Sequence, residues 1–146
     1  MLTLVVVNVS VMDAAVRGYW VMAWFGLLAN VAALPIIGWV AFTDQALQTA
    51  NISLAFSLAW PAAIVGIVAS AGLLAERRWG VIVAIVALSM ALAGSLPYGI
   101  VRLVFATASS TPDPHALGGF SLAIFVLNLL ALLYWCRPVH RHGGRL

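Results

Sequence analysis

The sequence predicts an all-α membrane protein: a bundle of four transmembrane helices with both chain ends on the cytoplasmic side. Three observations lead there. The 146 residues are 64% hydrophobic and only 8% charged, against about 25% charge in a soluble domain. Mean hydropathy is +1.10, and so little polar surface cannot cover a water-soluble globule. The apolar residues also fall into four runs, each long enough to cross the roughly 30 Å hydrocarbon layer. Finally, the arginines collect at one set of run ends.

Taken in order, residues 1–16 come first. Leu2 to Met12 is apolar and β-branched, but about 11 residues of helix rise only ~17 Å, too short to span. No positive residue precedes this run and no cleavage site follows it, which argues against a signal peptide. The segment reads as an interfacial lead-in or as an early extension of the first span. The bundle proper occupies residues 17–136 as one unit.

The first span covers about residues 18–42, anchored at its start by Arg17, Tyr19 and Trp20 and at its end by Trp39. A polar stretch without basic residues, Thr43 to Asn51, leads to the second span at about 52–75. The charged hairpin Glu76-Arg77-Arg78-Trp79-Gly80 follows. The third span, about 79–106, would be roughly 42 Å long, so it must tilt, kink or protrude. A Ser/Thr/Pro turn cluster, Thr107 to His115, precedes the fourth span at about 117–135. Residues 137–146 form a basic tail.

Orientation follows from the rule that positive charge stays on the cytoplasmic side. Arg17, Arg77, Arg78, Arg137, Arg141 and Arg145 share one side, and Arg102 lies towards the other. The Arg-only basic set and the heavy use of Ala, Val, Leu and Gly suggest a bacterial cytoplasmic membrane. The first and third spans also echo each other: both open with Arg and Trp, carry Leu-Pro far along, and close near Phe and Thr. Shared membrane-helix grammar accounts for that more simply than a duplication.

Lipid gives helices no hydrophobic reason to associate, so close backbone approach matters. Ala62, Gly66 and Ser70 make one ridge of small residues. Ala87, Ala91, Ser95 and Gly99 make another. Gly119 with Ala123, and Ala29 with Ala33, are shorter versions. Pro35, Pro61 and Pro97 each lack an N–H, and their positions in the outer half would splay the bundle there.

The candidate ligand-binding residues are Asn30, Ser89, Tyr98, Arg102 and Asn128. By a rise of 1.5 Å per residue, Asn30, Ser89 and Asn128 sit near the midplane, where a polar group needs a partner and should point inward. Their ordinary role would be interhelical hydrogen bonding; a sharper one is the polar floor of a cavity. Arg102 either snorkels to headgroups or pairs with Asp44, Asp113 or an anionic ligand. Tyr98 lies one helical turn before it. Asp44, Asp113 and His115 are weak acid–base candidates on separate loops.

Absences exclude more. No Asp, Glu or His lies inside a span, which argues against proton-coupled antiport and haem ligation. The single Cys136 rules out a thiol pair. No phosphate loop, catalytic triad or metal-ligand spacing is present, and His140 with His142 make a poor metal site. No cofactor and no metal is expected. Net charge +3 reflects lipid-facing arginines, so nucleic acid is not an expected partner; membrane lipids, a larger membrane complex or a second copy are. Three roles fit, in this order: a non-catalytic membrane subunit or assembly partner, a carrier for a small apolar molecule with an outward-opening cavity, and a membrane enzyme acting on a lipid or isoprenoid-like substrate.

The orientation has a direct test. A reporter fused after Leu146 should read as cytoplasmic, and one inserted in the Thr107–His115 turn as external. The reverse pattern would overturn it.

Overall fold

The computed structural model describes residues 2–108 and 114–137. One helix, α1, runs from Leu2 to Thr43 without a break, so the N-terminal segment and the first span share an axis. A helix bonds its own backbone internally, so lipid tolerates such a length; Pro35 lies inside it and lacks the N–H that the Val31 carbonyl would otherwise accept from. A short 3-10 turn, Gln45–Leu47, then reverses the chain. The second span is built from α2 (Gln48–Leu54), a π-helical turn (Ala55–Ala59) and α3 (Trp60–Leu74). Helix α4 covers Arg78–Ala108 and α5 covers Pro114–Trp135. Four helical segments are long and apolar enough to cross a membrane: Gly18–Thr43, Gln48–Leu74, Arg78–Phe105 and Gly118–Trp135. The protein is therefore a membrane-spanning four-helix bundle, and the even number of crossings leaves Gly18 and Trp135 at the same end. That end also carries Arg77, Arg78 and Arg137 and is called the basic end below; Asp44 marks the far end.

Two boundaries differ from the expectation. The polar stretch 43–51 is not a loop throughout, because helix resumes at Gln48 and draws Asn51 into the bundle, 4% exposed. The hairpin at the basic end is also tighter than its five charged and aromatic residues suggest, since α4 begins at Arg78. The helices close around it through the backbone: the Arg77 N–H donates to the Gly72 carbonyl and the Glu76 N–H to the Leu73 carbonyl, each at 2.9 Å. This six-to-one and five-to-two pair is the Schellman arrangement, and it sets its C′ residue in the left-handed region. That residue is Glu76, with φ of 54°, where glycine is usual. Next to it Gly72 and Gly80 meet backbone to backbone; a Cβ on Gly80 would lie 2.7 Å from the Gly72 carbonyl carbon.

Consecutive spans pack side by side, α1 on α3, α3 on α4 and α4 on α5. Small residues make each seam. A Cβ on Gly66 of α3 would overlap the Asn30 carboxamide of α1, and one on Gly26 would press the Ser70 hydroxyl at 3.1 Å. Ala62, Gly66 and Ser70 are all buried, as are Ala87 and Gly99, so both ridges face neighbouring helices. On α5 the packed glycine is Gly118, which meets Leu103 and the Arg102 Cβ, whereas Gly119 touches nothing and Ala123 is exposed. The expected Gly119–Ala123 ridge is thus off by one position, about 100° around the helix.

At the basic end all four spans meet. Ala23, Ala69, Leu73, Ala84 and Trp135 form a buried cluster. Tyr19 stacks edge-on against Trp135 at 5.4 Å, and its hydroxyl donates to the Leu73 carbonyl at 2.9 Å. Pro61 stands at the start of α3 just after the π turn. Such a turn is one way a helix absorbs the amide hydrogen that proline lacks.

Glu76→Gly should relieve the left-handed strain. After the added freedom of glycine in the unfolded chain is subtracted, stability should rise by about 0.5 kcal/mol, read as a higher midpoint in reversible unfolding in detergent. A lower midpoint would mean that Glu76 contributes a contact outweighing its strain.

Candidate functional site

Between the two ends the interior is not filled. A cavity of about 520 Å³ lies among all four spans, within the usual range for small-molecule sites. Its floor is made by the small residues of α3 and α4, among them Ala62, Gly66, Ala87 and Ala91. The seams that let the helices approach also leave a hollow where no large side chain projects. The walls come from α1 and α5. Phe25 and Ile36 on α1, and Phe120 and Leu127 on α5, line the cavity yet are 45–60% exposed. They form the lips of a slit between the first and fourth spans. Opening is therefore along the flank of the bundle, facing where lipid would lie.

The far end is spanned by a polar cluster. Arg102 of α4 is 3% exposed and forms an ion pair with Asp44, whose side chain is 14% exposed. The Arg102 Nε donates to the Tyr98 hydroxyl at 3.0 Å, and the guanidinium lies 5.3 Å from the centre of the same ring. Asn51 Nδ2 donates to the Asp44 carboxylate at 2.9 Å. Arg102 thus binds inward and does not snorkel. Its partner is on the connection between α1 and α2, so the pair ties that connection to α4. Burying both charges is costly and is offset by their attraction and the added hydrogen bonds.

The polar residues of the cavity are arranged along its length. Asn30 lines it, with its Nδ2 donating to the Gly26 carbonyl of its own helix at 2.7 Å. Asn128, Ser70 and Ser121 line it as well, and the Ser121 hydroxyl donates to the Ser95 carbonyl across the α4–α5 seam at 2.9 Å. Towards the far end stand Ser95, Tyr98 and Asn51. Two of their atoms are buried without a hydrogen-bond partner: Asn51 Oδ1 and Ser95 Oγ.

Of the five sequence-derived binding residues, Asn30, Tyr98 and Asn128 line the cavity, and Arg102 buttresses its far end through Tyr98. Ser89 does not belong. It is exposed and donates to the Ile85 carbonyl at 2.8 Å. It sits two positions from both Ala87 and Ala91, about 200° around the helix from the packed face, and its own helix satisfies its hydroxyl. Asp44 is held by Arg102 and Asn51. Asp113 and the side chain of His115 lie outside the described residues, as do His140 and His142. No group of three or more metal-ligating side chains occurs among the described residues.

Sequence reasoning missed Asn51, Ser70, Ser95 and Ser121 as cavity residues. Ser70 and Ser95 were in plain register with the small-residue ridges, and a hydroxyl in such a ridge is the signal that the ridge also borders a polar spot. Asn51 follows Asp44 by seven residues, a relation that means something only once the intervening turn is known. Comparison with protein-family models, curated proteins and solved structures gives no match, so the functional argument rests on the site itself.

Asp44→Ala leaves a buried guanidinium unpaired and should cost about 3–5 kcal/mol. Replacing both partners, as Asp44→Leu with Arg102→Met, should recover most of that loss. Thermal unfolding of the single and double variants in one detergent decides it; a double variant no more stable than Asp44→Ala would show that the pair is not what the far end depends on.

Proposed function

We propose that this protein binds, and passes on or holds, a small and mostly apolar molecule within the membrane. The observation that carries the proposal is the cavity: about 520 Å³, floored by alanine and glycine, with its exposed lips on the first and fourth spans. A ligand dissolved in the bilayer would reach it sideways without crossing either end. The charged cluster sits at one end and not in the middle, which suits an apolar body with one polar tip. The one-sided arginines and the Lys-free composition support a bacterial cytoplasmic membrane as its location.

This ranks the carrier reading above the subunit and the enzyme. Asp44, the acid–base candidate whose side chain is described, has its carboxylate occupied by Arg102 and Asn51. A general acid or base must reach the proton that it moves, and one locked in an ion pair is poorly disposed to do so. The subunit reading draws its support from the same slit, which a helix of another protein could cover.

Ala91 lines the cavity and is half-buried, so Ala91→Phe should fill the hollow with modest strain, about 1–3 kcal/mol. Native mass spectrometry of the purified full chain should find a small lipophilic molecule bound to the wild type and little or none on the variant. Equal occupancy of both would sink the proposal. A stoichiometric protein partner across the slit, with no small molecule, would replace it with the subunit reading.

A further inference from the structure

The cavity has a shape as well as a volume, and a polarity at one end. Its lining runs from Met22 to Ala41 along α1 and from Ala84 to Tyr98 along α4, or about 28 Å and about 21 Å of helix. The hollow is therefore long in one direction, the shape that an extended hydrocarbon chain fills.

The far end states what the tip of such a chain must be. Asn51 is 4% exposed and lines the cavity. Its amide orientation is settled by chemistry, because the Asp44 carboxylate only accepts and must face Nδ2. Its Oδ1 is then left as a buried acceptor without a donor. Ser95 Oγ, on α4 one helical turn before Tyr98, is a second buried polar atom without a partner. Leaving such groups unpaired in an apolar setting is unfavourable, and native proteins seldom do so without a reason. Net charge at this end is balanced by the Arg102–Asp44 ion pair. Neither of those residues lines the cavity, and among the described residues its lining carries no charged side chain for a charged head to meet.

Resting on the binding function proposed above, we infer that the ligand is a single-chain lipid with an uncharged, hydroxyl-bearing head, such as a long-chain alcohol or a monoacylglycerol. The head lies at the far end, where its O–H donates to Asn51 Oδ1 and its oxygens can accept from Ser95 Oγ. The chain runs towards Trp135 along the alanine and glycine floor. A hydroxyl is the group that meets both needs, because it donates and accepts at once. Asn51 is thereby a specificity-determining residue, and a site built to hydrogen-bond an O–H discriminates strongly against analogues that lack it.

The test uses the delipidated full chain in detergent, with four probes of matched length offered separately and bound probe counted by native mass spectrometry: hexadecanol, monopalmitoylglycerol, methyl hexadecyl ether and palmitate, at a pH where palmitate is ionised. Hexadecanol and monopalmitoylglycerol should bind about tenfold more tightly than the ether and palmitate. Asn51→Leu should bring hexadecanol down to the level of the ether and leave the ether unchanged. Ser95→Ala, a change too small to threaten folding, should weaken hexadecanol and the ether alike by several-fold, since either oxygen accepts from Ser95 Oγ. Equal binding of hexadecanol and ether to the wild type, or hexadecanol binding untouched by Ser95→Ala, would overturn the head assignment while leaving a chain-binding protein. Binding of none of the four would overturn this inference and count against the binding function itself.

Discussion

Hydrocarbon solvates an apolar side chain as well as a protein interior does, so a membrane bundle gains no hydrophobic free energy by burying its apolar side chains. What holds helices together is close backbone contact and polar groups with no better partner. This constraint explains where the bundle is tight and where it is not. It is tight where Gly72 meets Gly80, where Gly66 accommodates Asn30, and where Gly99 and Gly118 admit Leu122 and Leu103. It is tight again where Tyr19 hydrogen-bonds Leu73 and where Arg102 pairs with Asp44. Between these points the small residues that permit the approach leave a hollow, because nothing in lipid favours larger side chains there.

The two ends are closed by different means. At the basic end the closure is aromatic and apolar: Trp135 is 3% exposed and is gripped by Tyr19 and by Tyr134, whose ring lies 5.1 Å away. At the far end it is ionic. Each closure joins parts of the chain that are distant in sequence, so the spans are stapled top and bottom while their middles stay apart. The first and fourth spans are the last members of a row and meet at the basic end, which is why the slit falls between them. Helix α1 is otherwise fastened to α3, at Gly26, Asn30 and Leu34, whose carbonyl accepts from Trp60 Nε1 at 3.1 Å.

Much of this was legible in the sequence, and the limits have physical causes. Four spans were readable because length and hydropathy suffice for a segment that must satisfy its own backbone in lipid. The ridges on α3 and α4 were readable because small residues at four-residue spacing have little other use there. Position along each helix was readable too, and Asn30 and Asn128 do line the cavity. Rotation about the helix axis was not. Ser89 has the right depth and the wrong face, and Gly119 was preferred to Gly118 for the same reason; an all-apolar helix carries no amphipathic stripe to set its angle. For Arg102 the sequence left headgroups, Asp44, Asp113 and an anionic ligand open, and choosing among them needed the reach of a turn whose shape the polar stretch 43–51 does not declare. Asn51 was hidden by the same turn.

A cavity that is a by-product of loose packing and one that is kept for a ligand differ in their polar atoms. Loose packing in lipid should be apolar throughout, since every buried polar group left unpaired raises the free energy with no return. Asn30 and Ser121 follow that rule, satisfied by carbonyls of their own or a neighbouring helix. Asn51 Oδ1 and Ser95 Oγ break it, and they do so at the same end of the same hollow. A leucine at position 51 would remove one orphan and still fit an apolar wall, although it would cost Asp44 its second donor. Alanine at position 95 would fit the ridge at least as well as serine. That the chain carries polar groups in both places is simplest to understand if something enters through the slit and completes their hydrogen bonds.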